Sequence, residues 1–141
     1  MCIRDRAYAP DHFEVVLNIS ITVTETNSDE DLAAALLPVK GMLGFYVGGM
    51  GAKGQNYHTK LMARMGFEEE ALRIQDLFLD GHRDEAIAAV PDLFADEISL
   101  IGTPDRIRDR LTAFEDSPVT MLNVAPGTTD RLRQVAEIVL G

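Results

Sequence analysis

The residues with the clearest capacity for chemistry lie in a glycine-rich segment, residues 48–54. From residue 49 its spacing is Gly-x-Gly-x-x-Gly, which is typical of loops whose backbone N–H groups approach a pyrophosphate at the start of a helix. A dinucleotide-binding fold would need a strand directly before this loop and an acidic residue at the end of a second strand. The preceding stretch follows Pro38 instead, and the acidic residue at the right spacing, Asp76, lies in a helical pattern. A glycine-rich connection that lines a pocket, or a purely structural loop, fits the segment better.

Polar residues beside this segment and on the predicted strands complete the candidate pocket. In parallel α/β folds the carboxyl ends of strands carry chemistry, although these positions could equally hold ordinary strand and turn residues. His58 could act as a general acid, or its side chain could simply be solvated or hydrogen-bonded. The candidate pocket residues are Ser20, Thr22, Gly49, Gly51, Lys53, Asn56, His58 and Asn123. No motif identifies a catalytic residue among them.

Charged clusters elsewhere indicate helix surfaces rather than sites. The glutamates at residues 68–70 suit the positive end of a helix dipole, and nothing else supports a paired-carboxylate site there. The charged residues of the next helix predict a solvated helix face with i, i+4 pairs; they are Asp105, Arg106, Arg108, Asp109 and Arg110. The three histidines form no i, i+4 pair, and the single cysteine, Cys2, excludes a multi-cysteine zinc site. We therefore expect no metal site.

A predicted strand over residues 13–24 carries the candidate residues Ser20 and Thr22. Apolar and polar residues alternate there with a period of two, and only Val16 breaks the polar face. The pattern at the end of the chain predicts a helix, a strand and a second helix in turn. This order indicates α/β units with parallel strands. Because only two or three strands are visible, the pattern indicates part of a larger sheet.

The other elements follow from caps and apolar periodicity. Ser28 is placed to cap a helix that Pro38 should kink or break, and residues 42–47 fit either a helix or a strand. Thr103 and Pro104 are a typical helix start. Further helices are predicted over residues 56–65, 68–79 and 83–90, and the apolar residues from Leu132 to Leu140 predict a final amphipathic helix. Further strands are predicted over residues 98–101 and 119–124, with a turn at 126–128.

Composition limits the classes of function that the chain could have. It has 141 residues, 46% of them hydrophobic, and a formal net charge of −10. An acidic chain of this kind is a poor candidate for binding nucleic acid or an anionic membrane. No apolar run approaches the roughly 20 residues of a membrane span, and we expect a soluble cytoplasmic protein. The length excludes a complete (β/α)8 barrel of about 250 residues.

Several segments together resemble one family. They are residues 13–24, residues 45–57, Arg64-Met65-Gly66-Phe67, residues 74–81, residues 88–92 and residues 100–104. The chain is similar to the C-terminal part of luciferase-like oxidoreductases, in the branch that uses the deazaflavin coenzyme F420. The resemblance implies a partial (β/α)8 TIM barrel in which residues 13–24 form the sixth strand and residues 119–124 the eighth. It also implies that the glycine-rich segment and the helices after it form an insertion near the catalytic mouth.

The resemblance carries expectations about chemistry. It implies hydride transfer to or from a small organic substrate, with coenzyme F420 or alternatively FMN, and a parent protein that is a homodimer or higher homo-oligomer. Residues 1–6 look like a non-native leader, and residues 7–141 would be the C-terminal portion of the barrel domain. Such a fragment is expected to be inactive alone. The alternative is a small nucleotide-binding or barrel-completing module that uses residues 48–54.

Overall fold

The computed structural model describes residues 14–125 and 127–141, so the predicted leader, Phe13 and Pro126 of the predicted turn lie outside the described residues. The strands described are β1 (Val16–Asn18), β2 (Ser20–Val23), β3 (Ser99–Gly102) and β4 (Met121–Asn123). The helices are α1 (Asp29–Gly49), α2 (Tyr57–Arg64), α3 (Glu68–Leu79), α4 (Arg83–Ala88), α5 (Asp92–Glu97), α6 (Pro104–Glu115) and α7 (Thr129–Leu140). This is a helix-rich α/β arrangement, as the sequence predicts.

The predicted first strand is divided into β1 and β2, which only Ile19 separates. β1 pairs in parallel with β4, and β2 pairs in parallel with β3, so the predicted parallel pairing is confirmed. The N–H of Ile19 donates to the Asn123 carbonyl at 3.1 Å, whereas the N–H of Thr24 donates to the Gly102 carbonyl at 2.9 Å. Because odd and even residues of a strand direct their N–H groups to opposite edges, residues 16–23 lie between β4 and β3.

This strand order differs from that of a barrel. In a (β/α)8 barrel successive strands are neighbours, so β3 would lie between the first strand and β4. The structure instead places β4 against β1. Pairing there covers backbone N–H and C=O groups that would otherwise form an open edge. Within the described residues, the barrel order expected from the resemblance is therefore absent.

α1 is longer than the sequence predicts. Ser28 caps it as expected, because its hydroxyl accepts from the Asp31 N–H at 3.2 Å. Pro38 neither ends nor divides the helix, and residues 42–47 continue it. Proline removes only one backbone donor, and contacts of α1 with α3, α4 and α5 hold the helix on both sides of it. The predicted break is wrong for this reason.

α1 is also long and apolar enough to cross a membrane, judged by length and composition alone, so the expectation of no such run is wrong. Its charges are three acidic residues in the first turn and Lys40, which pairs with Asp92 at 2.6 Å. Leu36, Val39 and Val47 on one face are at most 4% exposed. That face packs in the protein core, as core helices of ordinary domains do.

Two apolar cores lie on either side of β3. Ile101 belongs to the core that α1 forms with the helices α2 to α5, and Leu100 belongs to the core formed with α6 and α7. Adjacent residues of a strand point to opposite faces, so β3 is buried on both. The helix α5 was not predicted, because Pro91 was interpreted as the end of α4 whereas it also caps the next helix.

The glycines at the end of α1 are packing residues. A Cβ at Gly48 would lie 2.4 Å from the Cβ of Phe78, and a Cβ at Gly49 would lie 2.5 Å from Phe78 Cε1. Both glycines belong to the last turn of α1 and not to a connecting loop, which corrects the sequence interpretation. Their lack of a side chain allows α3 to pack directly against α1.

We expect Gly48→Ala to lower the free energy of unfolding by about 1–3 kcal/mol, because the new methyl group overpacks the contact with Phe78. Gly41→Ala is the matched control in the same helix, since a Cβ there meets nothing within 4 Å. The control should stabilise by about 0.5–1 kcal/mol through helix propensity. Urea unfolding of both variants checks this, and equal effects of the two substitutions would contradict it.

Candidate functional site

The eight candidate residues fall into two groups that the structure does not bring together. Gly49, Gly51, Lys53, Asn56 and His58 surround the C-terminal end of α1. The N-terminal end of α1 is fixed at the carboxyl end of β3, because the amide of Asn27 donates to Thr103 Oγ1 and accepts from the Thr103 N–H, both at 2.9 Å. At 1.5 Å per residue α1 spans about 30 Å. The glycine-rich segment therefore lies at the far end of α1 from this carboxyl end of the strands.

Asn56 is a buried structural residue, 1% exposed. Its Nδ2 donates to the carbonyls of Tyr46 at 2.9 Å and Val47 at 2.8 Å, and its Oδ1 accepts from the His58 N–H at 2.8 Å. These bonds satisfy the end of α1 and cap the start of α2 together. A Cβ on Gly51 would come within 3.0 Å of Asn56 Cα, so Gly51 makes room for this cap.

Beside this junction, Lys53 is exposed and His58 is half-buried. Lys53 Nζ is 2.6 Å from Asp76 Oδ1, and the hydrogen bond and the charge of Asp76 raise the pKa of the lysine. The His58 ring packs edge-on against the rings of Tyr46 at 4.9 Å and Tyr57 at 5.5 Å. Both candidates thus have structural partners among the described residues.

Gln75 is a polar residue buried in the core, and the sequence analysis did not identify it. It is 1% exposed on α3, and its Oε1 accepts from the Gly54 N–H at 3.4 Å. Its Nε2 is buried and has no partner among the described residues. A polar residue beside Ile74 on an apolar helix face was the available signal. Gln75 ties the glycine-rich segment to α3.

The strand candidates do form one polar surface. Ser20 and Thr22 are half-buried and share a face of β2, because residues two apart point the same way. By the same period Asn18 lies on this face, and its Oδ1 accepts from Asn123 Nδ2 at 2.6 Å across the β1–β4 pair. Asn18, Ser20, Thr22 and Asn123 are named the polar strand face here. Asn18 was missed, although the alternation of the strand contained it.

A groove of about 420 Å³ opens near the carboxyl ends of β2 and β3. It is lined by the first turns of α1, by α5 and by Arg106 at the start of α6. Asp96 in its wall accepts from Arg106 Nη2 at 2.8 Å and from Arg110 Nη1 at 2.6 Å. Arg106 also donates to the carbonyl of Ile101. The guanidinium groups are therefore occupied by the protein itself.

Burial raises the pKa of the Asp96 carboxyl, but hydrogen bonds and charges from Arg106 and Arg110 outweigh that effect and hold the pKa below its usual range. The two arginines are only about a quarter exposed, so the prediction of a solvated face is wrong for them. Arg108 is about half exposed, as expected, but its partner Asp105, at 2.9 Å, is three residues away and not the predicted four. The partner of Arg106 and Arg110 lies on α5, the helix that was not predicted.

Among residues 14–125 and 127–141, no three His, Cys, Asp or Glu side chains are grouped as metal ligands. The polar strand face offers amide and hydroxyl groups that could bind the polar edge of a ring system. It offers no basic side chain for a phosphate, and the arginines of the groove are bound to Asp96. The described residues can therefore orient a bound molecule more readily than they can react with it.

Comparison with known proteins assigns the family. The sequence model described as luciferase-like monooxygenase matches residues 3–121. The chain belongs to the luciferase-like monooxygenase family. It is 32% identical over 127 residues to a protein of Mycobacterium tuberculosis described as a coenzyme F420-dependent oxidoreductase, which covers 90% of this chain. The chain spans about a third of that relative, 35% of its length. No solved structure is significantly similar to it.

Membership in the luciferase-like family confirms the resemblance stated from the sequence and supports an oxidoreductase. The family match includes the polar strand face up to β4 and the whole of α1 to α6. Asn123 lies just beyond the matched residues.

Asn56→Asp should lower the free energy of unfolding by about 1–3 kcal/mol. The new carboxylate keeps the cap of α2 but cannot donate to the carbonyls of Tyr46 and Val47 in a site that is 1% exposed. Gln55→Glu, an exposed neighbour with the same chemical change, is the control and should leave stability within about 0.5 kcal/mol. Chemical denaturation measures both; equal stability of the two variants would refute the structural role of Asn56.

Asp96→Asn should destabilise the protein by about 1–3 kcal/mol at neutral pH, because two arginines lose their charged acceptor. Since the pKa of Asp96 is lowered on folding, its ionised form stabilises above the usual aspartate pKa of about 3.9. That contribution is lost as the pH falls through the lower folded pKa. The difference from wild type should therefore shrink in acid. Asp109→Asn, at an exposed aspartate on α6, the helix that carries Arg106 and Arg110, is the control for unfolding measured across pH.

Proposed function

We propose that this chain is the C-terminal part of a luciferase-like oxidoreductase that transfers hydride to or from a small organic substrate with coenzyme F420. The observation that carries the proposal is the similarity to a coenzyme F420-dependent relative along 90% of the chain. FMN is the alternative cofactor, because the family is described as monooxygenases. The parent protein would form the (β/α)8 barrel, with β1 and β2 as one strand of it.

The cofactor would supply the hydride chemistry when bound. The residues of this chain would orient it and the substrate, since the polar strand face presents Asn18, Ser20 and Thr22 in one row. The fit is partial, because this face accommodates a polar ring edge but has no cation for a phosphate group. Most of the cofactor site would therefore lie in the rest of the parent protein, and the isolated chain would be inactive.

The nucleotide-binding alternative has less support from the geometry. Its glycine-rich segment begins inside α1, so no strand precedes it, and Gly49 packs against Phe78. A barrel-completing module remains the second candidate, because parallel strands with open outer edges could pair with a separate chain. A cytoplasmic location, and no role for nucleic acid or membrane, belong to the same proposal and rest on the net charge of −10.

The experiment compares the isolated chain with a product extended upstream in the genomic reading frame. An in-frame extension of roughly 200 codons, the size that a barrel requires, is expected. The extended protein should bind coenzyme F420, followed by fluorescence titration, and should change its absorbance with a reducing or oxidising substrate. The isolated chain should bind neither coenzyme F420 nor FMN.

Three results would contradict the proposal or redirect it. Tight FMN binding with oxygen consumption by the extended protein would favour the flavin alternative. A stop codon directly upstream, with a separate gene for the first half of a barrel, would favour the barrel-completing module. Nucleotide binding by the isolated chain that Gly51→Ala abolishes would favour the small nucleotide-binding protein.

A further inference from the structure

The outer edge of β3, which faces away from β2, is closed by a side chain. The Gly102 carbonyl accepts from the Thr24 N–H just after β2, so the backbone groups of Gly102 point to that neighbour. Because adjacent residues of a strand direct their backbone groups to opposite edges, the Ile101 carbonyl lies at the outer edge. A guanidinium N–H of Arg106 donates to this carbonyl. Arg106 therefore stands where a further strand would supply its N–H.

Other contacts fix the position of Arg106. Its Nη1 and Nη2 donate to Asp96 Oδ1 at 3.1 Å and to Asp96 Oδ2 at 2.8 Å, which is the paired geometry that arginine forms with a carboxylate. A Cβ at Gly102 would lie 2.6 Å from Arg106 Cδ, so the glycine leaves room for the arginine at the end of β3. Ile101 is fully buried, and water therefore cannot replace Arg106 at its carbonyl.

β4 lies at the opposite edge of the sheet and is a short strand of three residues. The connection from α6 to β4, residues 116–120, can span about 17 Å at roughly 3.4 Å per residue. A move of β4 from its place beside β1 to the outer edge of β3 crosses about three strand spacings of roughly 4.8 Å, or about 14 Å. α6 itself contacts β3. The length of the connection thus allows β4 to pair at either edge.

We propose that Arg106 is a latch that closes the outer edge of β3 and so holds β4 beside β1. When Arg106 releases the Ile101 carbonyl, β4 can pair with β3 instead, which is the order of strands in a barrel. This second step rests on the proposed function, because only a barrel requires that order. The latch would keep both edges of the sheet covered until another strand of the parent protein takes the place beside β1.

Arg110 allows the latch to be separated from the ion cluster around Asp96. Its Nη1 donates to Asp96 Oδ2 and its Nη2 to the Asp96 carbonyl, both at 2.6 Å, and neither bond reaches β3. The side chains of Arg106 and Arg110 are 25% and 26% exposed, so the two sites are closely matched. Substitution of either arginine weakens the ion cluster, whereas only substitution of Arg106 opens the edge of β3.

Disulfide formation between engineered cysteines reports which strand lies beside β4. All variants carry Cys2→Ser. Leu17 and Leu122 are register partners in adjacent strands, so Leu17→Cys with Leu122→Cys should form a first disulfide in the full chain. Leu100→Cys with Leu122→Cys reports the barrel order through a second disulfide. In the present order these two positions are two strands apart, about 10 Å, which is too far for a disulfide. Both fractions are measured in glutathione buffers of defined ratio.

Arg106→Leu should shift the equilibrium from the first disulfide to the second by about tenfold, the effect of losing one hydrogen bond to a charged group. Arg110→Leu is the matched control and should leave both disulfide fractions unchanged. If circular dichroism shows that Arg106→Leu is unfolded, Arg106→Lys takes its place. Lysine keeps the charge but lacks the fork that reaches both acceptors, so it should cause a smaller shift in the same direction.

Equal shifts in Arg106→Leu and Arg110→Leu would overturn the latch, because they would assign the effect to the ion cluster. A folded Arg106 variant without any shift would also overturn it, as would a predominance of the second disulfide while both arginines are in place. In the extended protein the second disulfide should predominate, and the first would contradict the transfer of β4 to β3. Coenzyme F420 binding, titrated separately, tests the proposed function whichever disulfide forms.

Discussion

α1 has apolar side chains on nearly every side, and the rest of the fold depends on covering it. A helix of this kind is stable in water only when other elements remove it from solvent. The helices α2 to α5 and the strand β3 all contact it, and they bury the face that holds Leu36, Val39 and Val47. The glycines of its last turn then allow Phe78 to come close enough for α3 to pack along it. The position of the glycine-rich segment follows from this packing.

β3 joins the two halves of the described structure. Its residues are all buried, and neighbours such as Leu100 and Ile101 face different cores. The pairing of Asp96 on α5 with Arg106 and Arg110 on α6 adds a second connection, because α5 packs in the first core and α6 in the second. This partly buried ion cluster fixes the position of α5 relative to α6. Removing Asp96 would leave the guanidinium groups of Arg106 and Arg110 without a charged partner. The charged residues in the wall of the groove therefore connect the two cores.

The features that sequence reasoning predicted best are local ones. Ser28, Asn56 and Thr103 begin helices where expected, since a cap needs only a side chain and the next few N–H groups. The continuation of α1 through Pro38 depends on contacts from distant helices, and the pairing of β4 with β1 depends on which edges are open. Neither of these two features can be predicted from a short stretch of sequence. The polar strand face was partly predictable, because alternation identifies a face although it does not identify the partner across the pair.

The separation of the two groups of candidate residues changes how the family resemblance should be interpreted. The glycine-rich segment is the most distinctive part of the sequence, yet Gly48, Gly49 and Gly51 are explained by contacts with Phe78 and Asn56. Its function in the described residues is to connect three helices about 30 Å along α1 from the strand ends. The polar strand face is inconspicuous in sequence, because serine, threonine and asparagine are common strand and turn residues. The polar strand face lies on parallel strands, on the side of the sheet to which Ile101 also points. This location makes it a better candidate than the glycine-rich segment for contact with a bound molecule.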